Sequence, residues 1–256
     1  MRLRVGLGGR SLRRIGPGAG AASYLQAIPL LLRNPSIALA PLLAALAQAA
    51  LFMVVPSTAN DGLLGMLNNS LTGLIAQLLN GFALGVALIC ADAAWRRGRA
   101  PFDEAWDEAR RKVSDIFIAT IGFNFAIFVA RYIGGTLLPF IGAIVLGAVA
   151  LFFCIYALPA ASIGGIPGGA SLQVSLERAR AAPAPTFVVC VVYVFTYFVL
   201  QNILATFVLQ FLFGLNVPSS SAVSSVVVAL IQAILAGYVA LVLSKTYNDV
   251  SYRRMY

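Results

Sequence analysis

Six long apolar segments with almost no charge constrain the fold of this chain more than any other feature. A helix needs roughly 20 apolar residues to cross the hydrocarbon layer of a membrane. With 60% hydrophobic residues, the chain is more apolar than a soluble domain. The segments are about Ser36–Pro56, Leu71–Ala94, Val113–Ile133, Leu137–Ala161, Thr186–Leu209 and Ala222–Ser244.

Helices are the predicted form of these segments. Backbone inside a membrane must satisfy its own hydrogen bonds, so only helices and closed barrels span it. Barrel strands alternate between apolar and polar residues, and the six segments lack that alternation. We therefore expect an all-α integral membrane protein with six transmembrane helices at 23–248, between a basic tail at 1–22 and a C-terminal tail at 249–256.

The basic residues lie almost entirely on one side of this arrangement. All 18 Lys and Arg residues except Arg131 lie before the first segment, after the sixth, or in the second-to-third and fourth-to-fifth connections. Loops rich in Lys and Arg stay in the cytoplasm, so we expect a cell-membrane protein with both termini cytoplasmic. The charge of +9 then predicts contact with anionic lipid headgroups and not with nucleic acid.

A dense block of charge, RGRAPFDEAWDEARRK, fills residues 97–112 between the second and third segments. On a helix that begins at Pro101, its apolar residues form one stripe and its charges the other face. Asp107–Arg111 and Glu108–Lys112 are favourable i,i+4 pairs. We expect this helix to lie in the headgroup region, with Trp106 and Phe102 as interfacial anchors. The stripe is Phe102, Ala105, Trp106, Ala109, Val113, Ile116 and Phe117.

The same pattern returns seventy residues later, where LQVSLERARAAPAPTFVV aligns without a gap to FDEAWDEARRKVSDIFIA. Its apolar stripe is Leu172, Leu176 and Ala179, and a fainter copy, SYLQAIPLLLRNPS, precedes the first segment with Pro29 inside it. These copies predict three repeated helical hairpins, each preceded by an interfacial amphipathic helix. Chance resemblance between amphipathic segments is the alternative.

Three stretches carry a resemblance to a known family: LLLRNPSIALAPLL, AWRRGRAPFDEAWDEARRK and LPAASIGGIPGGASLQVSLERAR. Their layout resembles the multi-span membrane domain attached to some bacterial glycerophosphodiester phosphodiesterases, and its uncharacterised stand-alone relatives. The resemblance implies a multi-span fold. It does not carry phosphodiesterase activity over, because the chain has no histidine. Such relatives often have an acidic residue after the proline that ends the fourth span, whereas Pro159 is followed by AASIGG.

Arg131 is the one basic residue outside the cytoplasmic set, and Asn124 lies two turns earlier on the same helix. A charge inside a membrane costs on the order of 3 kcal/mol, so it commonly faces a partner or a cavity. Arg131 is therefore a candidate to bind an anionic group. The alternative is that its side chain reaches outward to the membrane surface or pairs with Asp61, the one acidic residue of the predicted external loops.

Amide side chains give other segments a polar edge. Gln77 and Asn80 lie at i and i+3 of the second segment, and further amides are Gln48, Gln201, Asn202, Gln210 and Gln232. Such groups commonly join helices by hydrogen bonds. The alternative is a polar path through the bundle, which requires several of them to converge.

Catalytic chemistry is not indicated by the sequence. Histidine is absent, and the three cysteines lie within apolar segments without a CxxC spacing, so we predict no catalytic, metal or cofactor site. Asp92 is interpreted as an i,i+4 ion-pair partner of Arg96. The first functional hypothesis is a non-enzymatic membrane module that organises lipids, a partner protein or a homo-oligomer at the cytoplasmic face. The second is a carrier or lipid-translocating protein for a small or anionic substrate.

Overall fold

A computed structural model describes residues 19–54, 62–139, 141–213 and 222–252. Helices form nearly all of this part of the chain, which contains no strand. They are α1 (Ala19–Arg33), α2 (Leu39–Val54), α3 (Gly62–Arg97), α4 (Phe102–Arg111), α5 (Val113–Leu137), α6 (Ile141–Cys154), α7 (Ala157–Ser162), α8 (Gly168–Ala181), α9 (Pro183–Val194), α10 (Gln201–Phe213) and α11 (Ala222–Tyr252). A 3-10 turn, Pro35–Ala38, joins α1 to α2, and a π-helical segment, Phe195–Leu200, joins α9 to α10.

Several of these helices are long and apolar enough to cross a membrane, which confirms the prediction of an all-α protein with multiple candidate spans. Within the described ranges there are five: Ser70–Arg97, Val113–Leu137, Ile141–Ser162, Pro183–Phe211 and Ser225–Ser251. A sixth candidate is a bent pair, Ser23–Arg33 with Pro35–Leu51, whose two parts meet at 93°. The predicted first span corresponds to the second arm of this pair.

The candidate spans pack around one another in chain order. Helix α2 contacts α3, α3 contacts α5, α5 contacts α6, and α6 contacts α9. Helices α9 and α10 contact α11, which returns to α2. Because α3 and α11 also pack against each other, their facing sides form the most buried part of the core, with Leu88, Val239 and Leu241 at 3% exposure or less.

The turn between α3 and α4 is fastened to the bend between α1 and α2. Gly98 ends α3 with a φ of +75°, a left-handed conformation that glycine adopts without strain. Buried Asn34 accepts a 3.0 Å hydrogen bond from the Ala100 N–H through Oδ1. The Ser36 hydroxyl donates a 2.8 Å hydrogen bond to the Ala100 carbonyl. Two segments 64 residues apart therefore meet at one end of the bundle.

Helix α4 has the two faces that the sequence predicts. Ala105 and Ala109 are buried, whereas every acidic and basic residue of Phe102–Arg111 is exposed. The predicted Glu108–Lys112 pair forms at 2.7 Å, but no Asp107–Arg111 pair occurs in the described part of the chain. The helix does not continue into α5, because Lys112 breaks it with a φ of −104° and a ψ of 15°.

Helix α8 buries Ala179 of the predicted stripe, but not the two leucines. Its buried residues include Ser171, Ser175 and Ala179, while Leu172 and Leu176 are only partly buried. Ser171 bonds within its own helix, to the Gly168 carbonyl, whereas Ser175 bonds to the break between α6 and α7. The Ser175 hydroxyl donates to the Phe153 carbonyl at 2.7 Å and accepts from the Tyr156 N–H at 3.0 Å.

Hydrogen bonds and ion pairs tie several helices together at one end of the bundle. We call this the charged end and define it by Asp92, Arg96, Lys112, Asp115, Lys245 and Asp249. The Lys112 ammonium donates a 2.8 Å hydrogen bond to the Ser162 carbonyl, at the end of α7. Asp115 accepts a 2.9 Å hydrogen bond from the Gly168 N–H, at the start of α8. Helix termini have unpaired backbone groups, so these charged side chains satisfy groups that would otherwise lack partners.

Candidate functional site

A cavity of about 350 Å³ lies between the candidate spans. All six of them contribute to its wall, so its shape depends on the packing of the whole bundle. The residues that line it are Pro41, Ala45, Gln48, Gln77, Asn80, Gly81, Ala83, Leu84, Thr120, Phe123, Asn124, Ile155, Leu158, Pro159, Tyr193, Tyr197, Gln201, Gln232, Ala236 and Leu243. None of these described lining residues carries a charge.

Six amide side chains converge on this cavity: Gln48, Gln77, Asn80, Asn124, Gln201 and Gln232. Two of them bond to protein. Gln48 Nε2 donates to the Ala76 carbonyl at 3.1 Å and joins α2 to α3. Asn124 Nδ2 donates to the Thr120 carbonyl of its own helix at 2.9 Å.

The side chains of the other four amides make no such hydrogen bond to a described residue. Within the described ranges, Gln77, Asn80, Gln201 and Gln232 have no hydrogen-bond partner in the protein. Gln77 and Asn80 are exposed, and Gln201 and Gln232 are half-buried. A polar group among apolar helices without a partner costs about 1–3 kcal/mol or more. These amides are therefore placed to bond water or a ligand.

Two tyrosines form an aromatic part of the wall. The ring centroids of Tyr193 and Tyr197 are 4.8 Å apart and their planes meet at 48°. Tyr197 lies within the π-helical segment, and Gln201 follows that segment directly. Such insertions into α-helices occur frequently at functional sites. The sequence analysis did not select these tyrosines, although Tyr193, Tyr197 and Gln201 have an i, i+4, i+8 spacing that groups them on one helix face.

Close packing of α3 on α5 forms another part of the cavity wall. Gly81 faces Thr120 so closely that a Cβ at position 81 would overlap the threonine side chain. One turn further, a Cβ at Gly85 would lie 3.0 Å from Ile116. Gly81 and Gly85, spaced as GxxxG, therefore form a helix contact. Its position lets two cavity-lining helices approach each other at Gly81.

Helix α3 is buried between the cavity and the charged end. Between Asn80 and Asp92, most of α3 is buried, including Val86 and Cys90, which have no exposed surface. Beyond them, the Trp95 indole N–H donates a 3.0 Å hydrogen bond to the Leu241 carbonyl of α11. Gln77 lies 15 residues before Asp92, about 22 Å along an α-helix. The exposed amides are thus at the far side of the cavity from the charged end.

The structure separates the residues that the sequence proposed as one polar site. Gln77, Asn80 and Asn124 line the cavity. Arg131 does not line it. Arg131 is exposed and lies beside Gly147 of α6, where a Cβ at position 147 would be 2.8 Å from Arg131 Cγ. Its proposed partner Asp61 lies outside the described residues.

The proposed interfacial anchors pack on the bundle. The Trp106 ring lies 5.3 Å from the Phe82 ring, edge to face, and 5.8 Å from the Phe102 ring. Both Trp106 and Phe102 are partly exposed. The contact between Phe82 and Trp106 holds α4 against α3. Anchoring of Trp106 and Phe102 at a membrane interface remains a prediction. The predicted ion pair between Asp92 and Arg96 forms at 3.0 Å.

Comparison with known proteins adds no assignment: no family model, no curated protein and no solved structure matches the chain. Inference about the site therefore depends on its geometry and chemistry. An uncharged cavity lined by amides, a threonine hydroxyl and aromatic rings can bind a ligand through hydrogen bonds and apolar contact.

Proposed function

We propose that this chain is an integral membrane carrier or lipid-translocating protein, which binds its ligand in the amide-lined cavity. The observation that carries the proposal is the convergence of six amides, four of them without a protein partner, among helices suited to span a membrane. Polar groups at that depth usually face a cavity or a transport path. Had the amides only joined helices, each would bond to a neighbouring helix, as Gln48 does.

The asymmetry of the cavity supports a carrier. Its exposed amides lie away from the charged end, and α3 and α11 pack together on the side nearer that end. A carrier exposes its site to each side of the membrane in turn, by movement of one part of the bundle against another. In this proposal the structure represents the state that is closed at the charged end.

We further propose that the charged end is cytoplasmic, with both termini on that side of the cell membrane, because the basic residues concentrate there. Three repeated hairpins form part of the same proposal. Its support is that α1 contacts α11, α4 contacts α3, and α8 contacts α7, so each short helix packs on a candidate span. The kinship with the phosphodiesterase-associated membrane domain remains a proposal from sequence resemblance.

Cysteine accessibility tests the carrier proposal without knowledge of the ligand. In a chain whose three cysteines are replaced by alanine, Gln77→Cys, Asn80→Cys and Gln232→Cys are introduced singly and reconstituted in vesicles. A charged, membrane-impermeant thiol reagent is added inside or outside. A carrier is expected to let the same cavity cysteine react from both sides, because its site alternates between them.

Two control positions define the background of this experiment. Phe128→Cys lies on the outer surface, where the native side chain is 66% exposed, and Ala87→Cys lies in the core with no exposed surface. Neither should react if the first faces lipid and the second is packed. Reaction of cavity cysteines from one side only would contradict transport, and reaction from neither side would contradict a water-accessible cavity.

A second candidate function is favoured by the exposed face of α4. All its acidic and basic side chains are exposed, and such a face could recruit lipid or a partner protein to the charged end, including a second copy of this chain. Native mass spectrometry of the detergent-released protein tests this candidate. A defined lipid or protein adduct that is lost when Arg110 and Arg111 are both replaced by Ala would support it, while unchanged adducts would contradict it.

A further inference from the structure

We infer that the cavity selects an uncharged, hydroxyl-rich group: a free polyol or sugar, or the headgroup of a neutral glycolipid. This inference rests on the proposed function and names the class of ligand that the same site would take. It follows from three properties of the described wall, which are the absence of charge, the hydrogen-bonding character of the amides and the aromatic surface.

The absence of charged residues from the described wall of the cavity excludes ionic ligands. No lining residue is charged, so an ion in this cavity would lack a counter-charge among apolar helices, which costs several kcal/mol. The nearby charged groups are engaged elsewhere. Asp92 bonds to Arg96 and Asn248 at the charged end, and Arg131 lies on the outside of the bundle beside Gly147.

The amides then favour hydroxyl groups. Each free amide has two N–H donors and a carbonyl acceptor, and a hydroxyl likewise donates and accepts. Gln77, Asn80, Gln201 and Gln232 therefore present a mixed set that a ligand with several hydroxyls can satisfy. A ligand with acceptors only would leave the amide carbonyls unpaired, and sites that bind hydroxyls reject analogues without them for this reason.

The aromatic surface and the volume of the cavity restrict the class of ligand further. Tyr193, Tyr197 and Phe123 give the wall apolar faces that can cover the C–H surface of a polyol or sugar ring. A volume of about 350 Å³ is near the lower limit for small-molecule sites. It suits one small ring or headgroup, so the acyl chains of a glycolipid would remain outside the cavity.

Equilibrium binding to the purified full-length protein tests the inference. Radiolabelled glucose, sorbitol and myo-inositol form the neutral arm, and phosphate, glutamate and choline form the charged arm. A third arm adds radiolabelled monoglucosyl diacylglycerol in detergent and measures the label that co-purifies with the protein, with radiolabelled diacylglycerol that lacks the sugar as its control. We expect binding in the neutral arm or the glycolipid arm and none in the charged arm. Binding of the free solutes identifies a soluble ligand, whereas binding of the glycolipid alone identifies a headgroup.

A matched pair of substitutions ties binding to the cavity. Gln201→Leu removes a lining amide, whereas Gln210→Leu changes the same residue type on the same helix outside the cavity. We expect about tenfold weaker binding for Gln201→Leu, from the loss of buried hydrogen bonds, and unchanged binding for Gln210→Leu. If Gln201→Leu does not fold, judged by its unfolding temperature, Gln77→Leu takes its place.

Charged solutes that bind as well as neutral ones would overturn the inference, as would absence of binding in every arm or equal losses in both variants. None of these outcomes affects cysteine accessibility from the two sides of the membrane. A wrong ligand class can therefore be distinguished from a wrong carrier proposal.

Discussion

Asn248 Nδ2 donates a 2.6 Å hydrogen bond to the Asp92 carboxylate and so joins α11 to α3 at the charged end. The Asp92 side chain is only 15% exposed, and the same carboxylate pairs with Arg96 at 3.0 Å. Both helices line the cavity further along their length. Separation of α3 from α11 at this end, which a carrier requires, would break this contact.

Asn248→Leu is expected to lower the free energy of unfolding by about 2 kcal/mol, because a mostly buried carboxylate loses a donor. The unfolding temperature in detergent measures this loss. Arg97→Ala is the control, since the Arg97–Glu104 pair is about 70% exposed on both sides and exposed pairs contribute about 0–1 kcal/mol. Equal effects of the two substitutions would contradict a stabilising role for the Asp92–Asn248 contact.

Gly81→Ala is expected to destabilise the protein by about 1–3 kcal/mol, because the new methyl group overlaps the Thr120 side chain. Gly73→Ala is the matched control on the same helix, since a Cβ there meets no atom within 4 Å. Alanine favours a helix over glycine, so Gly73→Ala should be neutral or stabilising by up to about 1 kcal/mol. Thermal unfolding of both variants provides the comparison, and adding Thr120→Ala to Gly81→Ala should recover part of the loss.

Ser175→Ala is expected to cost about 2 kcal/mol, because it leaves the Tyr156 N–H and the Phe153 carbonyl without their serine partner at the break between α6 and α7. Ser162 is equally buried, but its hydroxyl donates to the Leu158 carbonyl of its own helix. Ser162→Ala should therefore cost less than about 1 kcal/mol. Unfolding temperatures that fall equally would mean that Ser175 is not specifically required at the break.

Arg131→Ala is expected to leave the cavity unchanged, because Arg131 lies outside it beside Gly147. The reaction rate of Gln77→Cys with the impermeant thiol reagent measures the effect, which should stay within about twofold, as for independent distant sites. Arg131→Lys, which keeps the charge, should behave in the same way. A large change in Arg131→Ala alone would assign this residue to the transport path.

Some features could be predicted from the local sequence because they depend on residues that are neighbours along one helix. The exposed charged face of α4 and the Asp92–Arg96 and Glu108–Lys112 pairs are of this kind. The buried face of α8 was predicted less well. Ser175 bonds to backbone groups at a break in another helix, and the periodicity of α8 itself does not indicate that break.

The all-helical fold and its helices long and apolar enough to span a membrane were determined by the sequence alone, because length and hydropathy decide whether a segment can cross a membrane. The tertiary structure decided which polar side chains meet. Gln48, Gln77, Asn124, Gln201 and Gln232 come from five different helices and share one cavity, whereas Gln210 and Arg131 stay outside it. Helical periodicity orders residues around one axis only, and the rotation of each helix toward its neighbours is fixed by packing contacts such as Gly81 against Thr120.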